Sequence, residues 1–541
     1  NVITTGPVVT NGNFSLPVTG LPVSSPVYYN TYITTPVGVI YGTATSFTTL
    51  TPVYQLVSSP ASLDFGTVTM GTSSVLSYTV TGSNLTTGPG SITVTAPANF
   101  QLSTSATGPF TSTINIPYTG TAFAALTLYV QFSPTAYAPY SGVITLSGGG
   151  AGVINTINCT LTGRGKLVTP AVTSNKGNDF WLAFGYHEGM NKKSGDSKEA
   201  KLSVYVTSEV NTTVIVEMPG MATQTVAIPA GTVQEITGFP TGDPANNMNP
   251  THLPDARLYY TGKSNRAIHV YSVDGALLSV WMYTYSSENS AAGSMIFPTN
   301  TWNTNYSVQA YGGATNSGIP NSFFYVIAEE DGTQIEFTPS VDILDSLPTT
   351  IFTGSPSNNI RYTAGVAYTI TLNRGEVFNA MGNIISSRGL DLSGTTIRST
   401  NCKKIAVFGG NGRVLVEVDI PQLTNTGSDN LVQQMFPKVA WGTRYYTVPT
   451  KHMEYNAFRI NVDDVTTQVW VNDPLHTTPL TGLTNNYYTY NSNQPLVIES
   501  SKPVSVTQFI AAQGYATGKT SFGSPSAYGM NGIGDPEMII L

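Results

Sequence analysis

SSKPVSVTQFIA (500–511), TNCKKIAVFGGN (400–411) and SNRAIHVYSVDG (264–275) share one pattern, an extended pair followed by an apolar β-run and a small-residue turn. Upstream of each lies a second similar strand: NTTVIVEM (211–218), DGTQIEFT (331–338) and VTTQVWVN (465–472). Between the two come GTVQEI (231–236), GEVFNA (375–380) and NNYYTY (485–490). Three marks in one order, three times over, predict an internal repeat. A repeat of about 100–140 residues is too long for a single propeller blade of ~45. A ring of sandwiches and a propeller with two sheets per unit both satisfy the pattern.

The repeats are punctuated. MIFPTNTW (295–302) and MFPKVAW (435–441) share Met, Phe-Pro and Trp, and each leads into a tyrosine-bearing strand, NYSVQAY (305–311) and RYYTVPT (444–450). The first unit begins instead with NDFWLAFGY (178–186), while the sequence ends on DPEMIIL (535–541), which resembles the missing opener. The expectation is that Met538–Leu541 pairs beside the first unit, with Ile539 and Ile540 close to residues 178–186. Closing the array in this way removes two exposed strand edges.

Residues 53–165 read as a β-sandwich. LDFGTVTMGTSSVLSYTVTGSNL (63–85), FQLSTS (100–105), LTLYVQFSP (126–134), YSGVITLSG (140–148) and INCTLTGRG (157–165) follow one another at sandwich spacing. Alternation directs Leu63, Phe65, Val68 and Phe132 to the core. Residues 1–52 hold a shorter β-segment, YYNTYITTPVGVIYGTATSFTT (28–49), with a turn at Gly38. The domain reading is therefore 1–52, 53–165 and 166–541, the repeats starting near 175.

Composition agrees with an all-β chain. Charged residues make up 10 %, against roughly a quarter in an ordinary soluble domain. Apolar residues at 40 % and aromatics at 10 % exclude a disordered chain. The net charge of −7 comes without any lysine or arginine run, which argues against nucleic acid as a partner. No stretch of about 18 apolar residues exists to span a membrane as a helix. NVITTGPVVTNG (1–12) lacks the charged and apolar regions of a signal peptide, so we expect a leader that is absent or removed, or a piece of a longer chain. Cys159 and Cys402 lie in different predicted domains and read as small buried hydrophobes rather than a disulfide, a usage that fits a bacterial exterior.

Three resemblances follow from these residues. Tyr32, Gly38, Tyr41, Gly42, Ser46 and Phe47 resemble the last strands of a fibronectin type III-like module, whose complete form takes about 85–100 residues. The LDFG start, FSP, YSG-x-ITL and the terminal TGRG resemble the Ig-like choice-of-anchor D modules of bacterial surface proteins, which act as spacers. GNDFWLAF (177–184), the M-x-FP…W openers, SSKPVSVTQF (500–509) and GDPEMIIL (534–541) resemble the N-terminal domain of IgGFc-binding proteins. That family occurs in animal mucins and in bacterial surface proteins. Antibody binding is not carried over, because no residue here matches an antibody contact.

Candidate chemistry is sparse, and we expect no enzyme, no cofactor and no metal. The histidines are His187, His252, His269, His452 and His476. His269, in AIHVYSV, reads as a sheet residue; His187-Glu188 reads as part of a solvated loop, since neighbours on a strand face opposite ways. Glu329-Glu330-Asp331 and Asp463-Asp464 precede equivalent strands and lack calcium-loop spacing, so they read as polar turns. EGMNKKSGDSKEAK (188–201) and TGDPANNMNPTHLPDARLYY (241–260) are mobile loops or recognition loops. Asp345-Ser346-Leu347 resembles the D-[ST]-aliphatic acceptor of O-glycosylation in Bacteroidetes, making Ser346 a candidate attachment site.

The sequence thus reads as all-β: Ig-like β-sandwich modules, then a large three-unit repeat domain. The expected function is that of a non-enzymatic adhesin or structural protein on a bacterial surface. The company of modules implies type IX export, a Bacteroidetes-like source and a link to gliding or attachment. Partners are a surface glycan, a protein ligand or neighbouring copies. Two alternatives stay open. One is a set of carbohydrate-binding modules from a polysaccharide-degrading system, marked by a coplanar row of exposed aromatics. The other is a self-assembling filament or surface-layer subunit, marked by an open edge.

Overall fold

The computed structural model describes residues 18–50, 54–86, 88–136, 138–149, 154–155, 159–166, 174–192, 196–242, 254–286, 290–316, 318–345, 359–417, 427–450, 453, 456–511 and 536–541. Among them the regular structure is all strand, apart from three short 3-10 turns. The chain forms two compact bodies, Asn1–Val168 and Thr169–Leu541.

In the first body, Pro26–Tyr29 pairs with Thr45–Thr48 and Tyr32–Thr35 pairs with Gly38–Tyr41. Most of these side chains are exposed. The rest is a sandwich of two five-stranded sheets. Alternating residues meet between the sheets, so Leu63, Phe65, Val68 and Phe132 are buried as expected. Phe65, Phe100 and Phe132 form a ring cluster there, with centroids 4.9–5.6 Å apart. Ser62–Thr69 runs parallel to Cys159–Lys166.

The second body contains three β-repeats, two of them sandwiches of one topology and the third a variant with no fourth strand among the described residues. Repeat one has eight strands: Asp179–Leu182, Lys201–Ser208, Thr212–Glu217, Gln224–Ile228, Val233–Ile236, Ile268–Ser272, Leu278–Tyr285 and Ala291–Ile296. Counted in that order, the first sheet runs 1-6-3-4 and the second 5-2-7-8. Repeat two uses Asn305–Ser307, Ser322–Ala328, Thr333–Thr338, Tyr368–Leu372, Val377–Met381, Thr396–Ser399, Ile405–Val414 and Asp429–Gln434 in the same two orders, with Gly262–Ser264 added beside its fifth strand. Repeat three fuses strands six and seven into Leu496–Ile510, which pairs with Gly442–Thr447 and Val469–Val471 in one half and with Asn456–Val462 and Glu537–Ile540 in the other. Repeats one and two are two-sheet sandwiches, and in repeat three the long strand joins both halves into one six-stranded sheet.

This topology corrects two expectations. The terminal strand does not pair with the first unit: Ile540 pairs with Thr507 and Ile539 with Gln508, inside repeat three. Among the described residues, 179–182 pair with Ile268–Ser272 alone. DPEMIIL resembles the Met-Phe-Pro openers because all three are eighth strands, closing the repeat before them rather than opening the next. The repeat register was also one strand out. IHVYS (268–272) is a sixth strand, and the counterpart of Ile405–Val414 is Leu278–Tyr285. Both runs are apolar and end in small-residue turns, so their patterns coincide.

The punctuation has a structural cause. After each Phe-Pro a single 3-10 turn, Thr299–Thr301 or Lys438–Ala440, delivers the tryptophan as its C-cap. Four residues on, a tyrosine ties the first strand to the seventh. The Tyr306 hydroxyl accepts from the Asn303 N–H at 3.0 Å and donates to the Ile405 carbonyl at 2.8 Å. Tyr445 does the same between Gly442 and Val504, at 2.8 and 2.6 Å.

Candidate interaction surface

The second sheet of each repeat has a core face and a back face. Strand register fixes which residues correspond. Tyr205 opposes Trp281, Tyr325 opposes Phe408 and Arg459 opposes Thr507, so Tyr205, Tyr325 and Arg459 occupy one back-face position. In repeat two that face is buried against repeat one: Phe323, Tyr325, Ile327, Val377 and Phe408 join the core that contains Leu182, Phe184 and Met282. The Tyr325 hydroxyl donates to the Ala183 carbonyl at 2.6 Å. In repeat three the face is buried against repeat two. The Arg459 guanidinium donates to the Ala310 carbonyl and lies 4.3 Å over the Tyr311 ring, and Phe509 packs 5.0 Å from Tyr311.

The back face of repeat one is open. Tyr205, Trp281, Tyr283, Gly293, Ser294 and Met295 line a groove of about 400 Å³. Tyr283 and Tyr285 stack at 5.1 Å with 25° between planes, and Tyr205 meets Tyr283 edge-on at 6.3 Å and 62°. Gly293 sits opposite Tyr283, where an added Cβ would come within 3.2 Å of the ring. Glu235 forms one rim, accepting from Ser203 Oγ at 2.7 Å and from Tyr205 at 3.0 Å. Asp429 lies at the other, accepting from the Ala291 N–H at 2.7 Å. Burial, then the Asp429 carboxylate, raises the Tyr283 hydroxyl pKa; burial and the Glu235 hydrogen bond raise that of Tyr205. The groove is thus an aromatic floor between acidic rims.

The residues singled out in the sequence lie elsewhere. His187 and Glu188 are buried, which corrects the solvated-loop expectation. His187 Nδ1 accepts from the Gly189 N–H at 2.9 Å and Nε2 faces Ser290 Oγ at 2.9 Å. Burial pushes its pKa down to about 4, the Ser290 carbonyl opposing and the Arg413 charge assisting. Glu188 pairs with Arg413 in the interior. His269 is enclosed between Trp181, at 4.3 Å, and Tyr271, at 4.5 Å. Its Nε2 is 2.8 Å from Asp179 and its Nδ1 3.1 Å from Glu217. Burial opposes its charge, but the two carboxylates outweigh it and raise its pKa. His476 stacks on Trp470 at 4.2 Å beside Glu499.

Asp331 takes the Arg374 N–H at 2.8 Å, and Asp464 pairs with Lys502 while its carbonyl accepts from Thr467. Glu330 has the same arrangement with Thr333, so both acidic clusters form equivalent Thr-capped turns. No group of three or more metal-ligating side chains occurs among the described residues. Cys159 is buried as expected, but Cys402 is exposed, in a turn at φ 63°. His252, His452 and Ser346 fall outside the described residues, as do parts of both candidate recognition loops.

Residues 292–541 match the family model described as IgGFc binding protein. The IgGFc binding protein match begins within the eighth strand of repeat one and runs through repeats two and three. Repeat one, which carries the open face, precedes it with the same strand order. No curated protein matches the chain.

Proposed function

We propose that this chain is a non-enzymatic binding protein of a bacterial cell surface, part of an adhesin, in which repeat one presents the contact face. The observation that carries this reading is the open aromatic back face around Trp281, at a position that holds a polypeptide contact in repeats two and three. The family match at 292–541, a binding-protein family, supports a protein ligand. The enclosure of His187 and His269 by structural partners supports a role without catalysis. Extracellular location, type IX export and a link to gliding belong to the same reading and rest on the resemblance of the preceding modules.

The test is binding of the whole chain, and of a Trp281→Ala, Tyr283→Ala variant, to bacterial and host cells and to a glycan array. Saturable binding that drops more than about tenfold in the variant is expected if these aromatics are anchors. Binding equal in both proteins would place the contact elsewhere. A carbohydrate ligand is the second reading, favoured by the aromatic row itself. Against it, Tyr283 and Tyr285 cover each other and Tyr205 stands edge-on, so the row is not coplanar.

A further inference from the structure

The interface between successive repeats has two halves. The accepting half is the back face of the second sheet. The donating half is the first strand and the segment that leaves it, joined between repeats one and two by Gly262–Ser264, which pairs with the fifth strand of repeat two at Val377–Asn379. Repeats one and two donate, and repeats two and three accept. In the structure the accepting half of repeat one, at Val233, and the donating half of repeat three, at Tyr446 and Val448, carry exposed apolar side chains.

Register makes the comparison position by position. Val233, Val377 and Tyr487 are equivalent in the fifth strands, opposing Thr207, Ile327 and Asn461. Val377 is fully buried and Tyr487 is 9 % exposed, whereas Val233 is 60 % exposed. In the first strands, Trp181 opposes His269, Ser307 opposes Thr396 and Tyr446 opposes Val497, again one position. Trp181 lies under the Arg374 guanidinium of repeat two, 4.7 Å from its ring. Ser307 accepts from Asn461 Nδ2 of repeat three at 3.2 Å. Tyr446 is 69 % exposed, and Val448 beside it is 70 % exposed.

We propose that the chain associates head to tail, the strand around Tyr446 and Val448 of one copy docking on the Val233–Tyr205–Trp281 face of repeat one of the next. This names the partner of the face described above and rests on that face being a protein contact. Such a contact is heterologous: the two surfaces differ, each copy keeps one of each free, and association continues into open chains unless the rotation closes a ring. The occupant is a second copy because the two unfilled halves are counterparts of surfaces that meet twice within the chain.

The experiment uses the full chain in sedimentation velocity and electron microscopy, with Val233→Glu and Tyr446→Glu variants whose melting temperatures match the parent. Both positions are exposed, so neither change disturbs a core. The parent is expected to form chains or rings whose size grows with concentration, and each variant alone to stay monomeric. An equimolar mixture of the two variants is expected to stop at a dimer, since one intact donor meets one intact acceptor. A self-complementary interface could not give that result. A parent that stays monomeric up to about 1 mM, the scale of a very weak contact, overturns the proposal, as does a mixture that fails to dimerise or a variant that assembles like the parent. The cell-binding assay separates the two readings: a monomeric parent whose cell binding depends on Trp281 and Tyr283 keeps the contact face and discards self-association.

Discussion

Phe297 and Phe436 pack against each other with ring centroids 4.9 Å apart and planes tilted by 31°. They are the same residue of two successive Phe-Pro turns, so the repeats touch through identical positions. Around them Phe297 N–H donates to Gln434 Oε1 at 2.7 Å and Gln434 N–H to Ser294 Oγ at 2.9 Å. Eighth strands that are not hydrogen-bonded neighbours are thus stitched by side chains.

Removing either ring should cost about 1–2 kcal/mol, the pair being worth about 0.5–1.5 kcal/mol beyond its buried area. Phe297→Ala and Phe436→Ala should then be less than additive, because the second truncation has no partner left to lose. Urea unfolding of the singles and the double checks this, and strict additivity would show that the rings do not interact.

The tyrosine ties should be interchangeable in cost. Tyr306→Phe and Tyr445→Phe each remove a hydroxyl that accepts from one backbone N–H and donates to one carbonyl. Each loss should destabilise by about 1–3 kcal/mol, since buried backbone groups are left unpaired. Tyr306 is the more deeply buried and should show the larger effect.

Two buried histidines should pull stability in opposite directions with pH. His187 has its folded pKa pushed down to about 4, below its ordinary 6.5. Between those values the unfolded chain binds the proton and the native chain does not, so stability falls as pH drops through that window. The full effect is on the order of 3 kcal/mol. His269 has its pKa raised by Asp179 and Glu217 against burial, with the Arg374–Trp181 stack covering the ring. Its contribution is fully present below pH 6.5 and fades as pH rises through the folded value. Melting temperatures from pH 4 to 9 for His187→Gln and His269→Gln should each lose one limb; an unchanged profile in either variant would contradict the assignment.

The buried Glu188–Arg413 pair should respond asymmetrically. Arg413→Met leaves Glu188 charged and enclosed and should cost about 3–5 kcal/mol. Replacing both by apolar residues should recover a large part of that loss. A double variant as unstable as the single one would mean that Ser428 and Asn316, which Arg413 also binds, carry the site.

The all-β class and the Leu63, Phe65, Val68 and Phe132 core were legible because alternation has only one period to read. The threefold repeat was legible too, through openers whose Phe-Pro and Trp serve one turn. Strand identity was not, since IHVYS and the run from Leu278 are equally apolar, and only pairing separates a sixth strand from a seventh. The contact face was invisible for a related reason. Tyr205, Tyr325 and Arg459 sit in runs that look alike in sequence, and which of them meets solvent depends on whether a repeat precedes it. His187-Glu188 misled because a charged, glycine-rich neighbourhood resembles a surface loop even where Arg413 waits to pair it.

The parallel pairing of Ser62–Thr69 with Cys159–Lys166 also bears on how the sandwich responds to force. Drawn apart along the chain, these two strands slide past each other lengthwise. Their rungs, from Ser62 opposite Thr160 to Thr69 opposite Lys166, then share the load together instead of opening one at a time. The Thr162 hydroxyl on Asp64 adds a side-chain link across the same seam. A sandwich so connected holds its length under a pull that would unzip a hairpin.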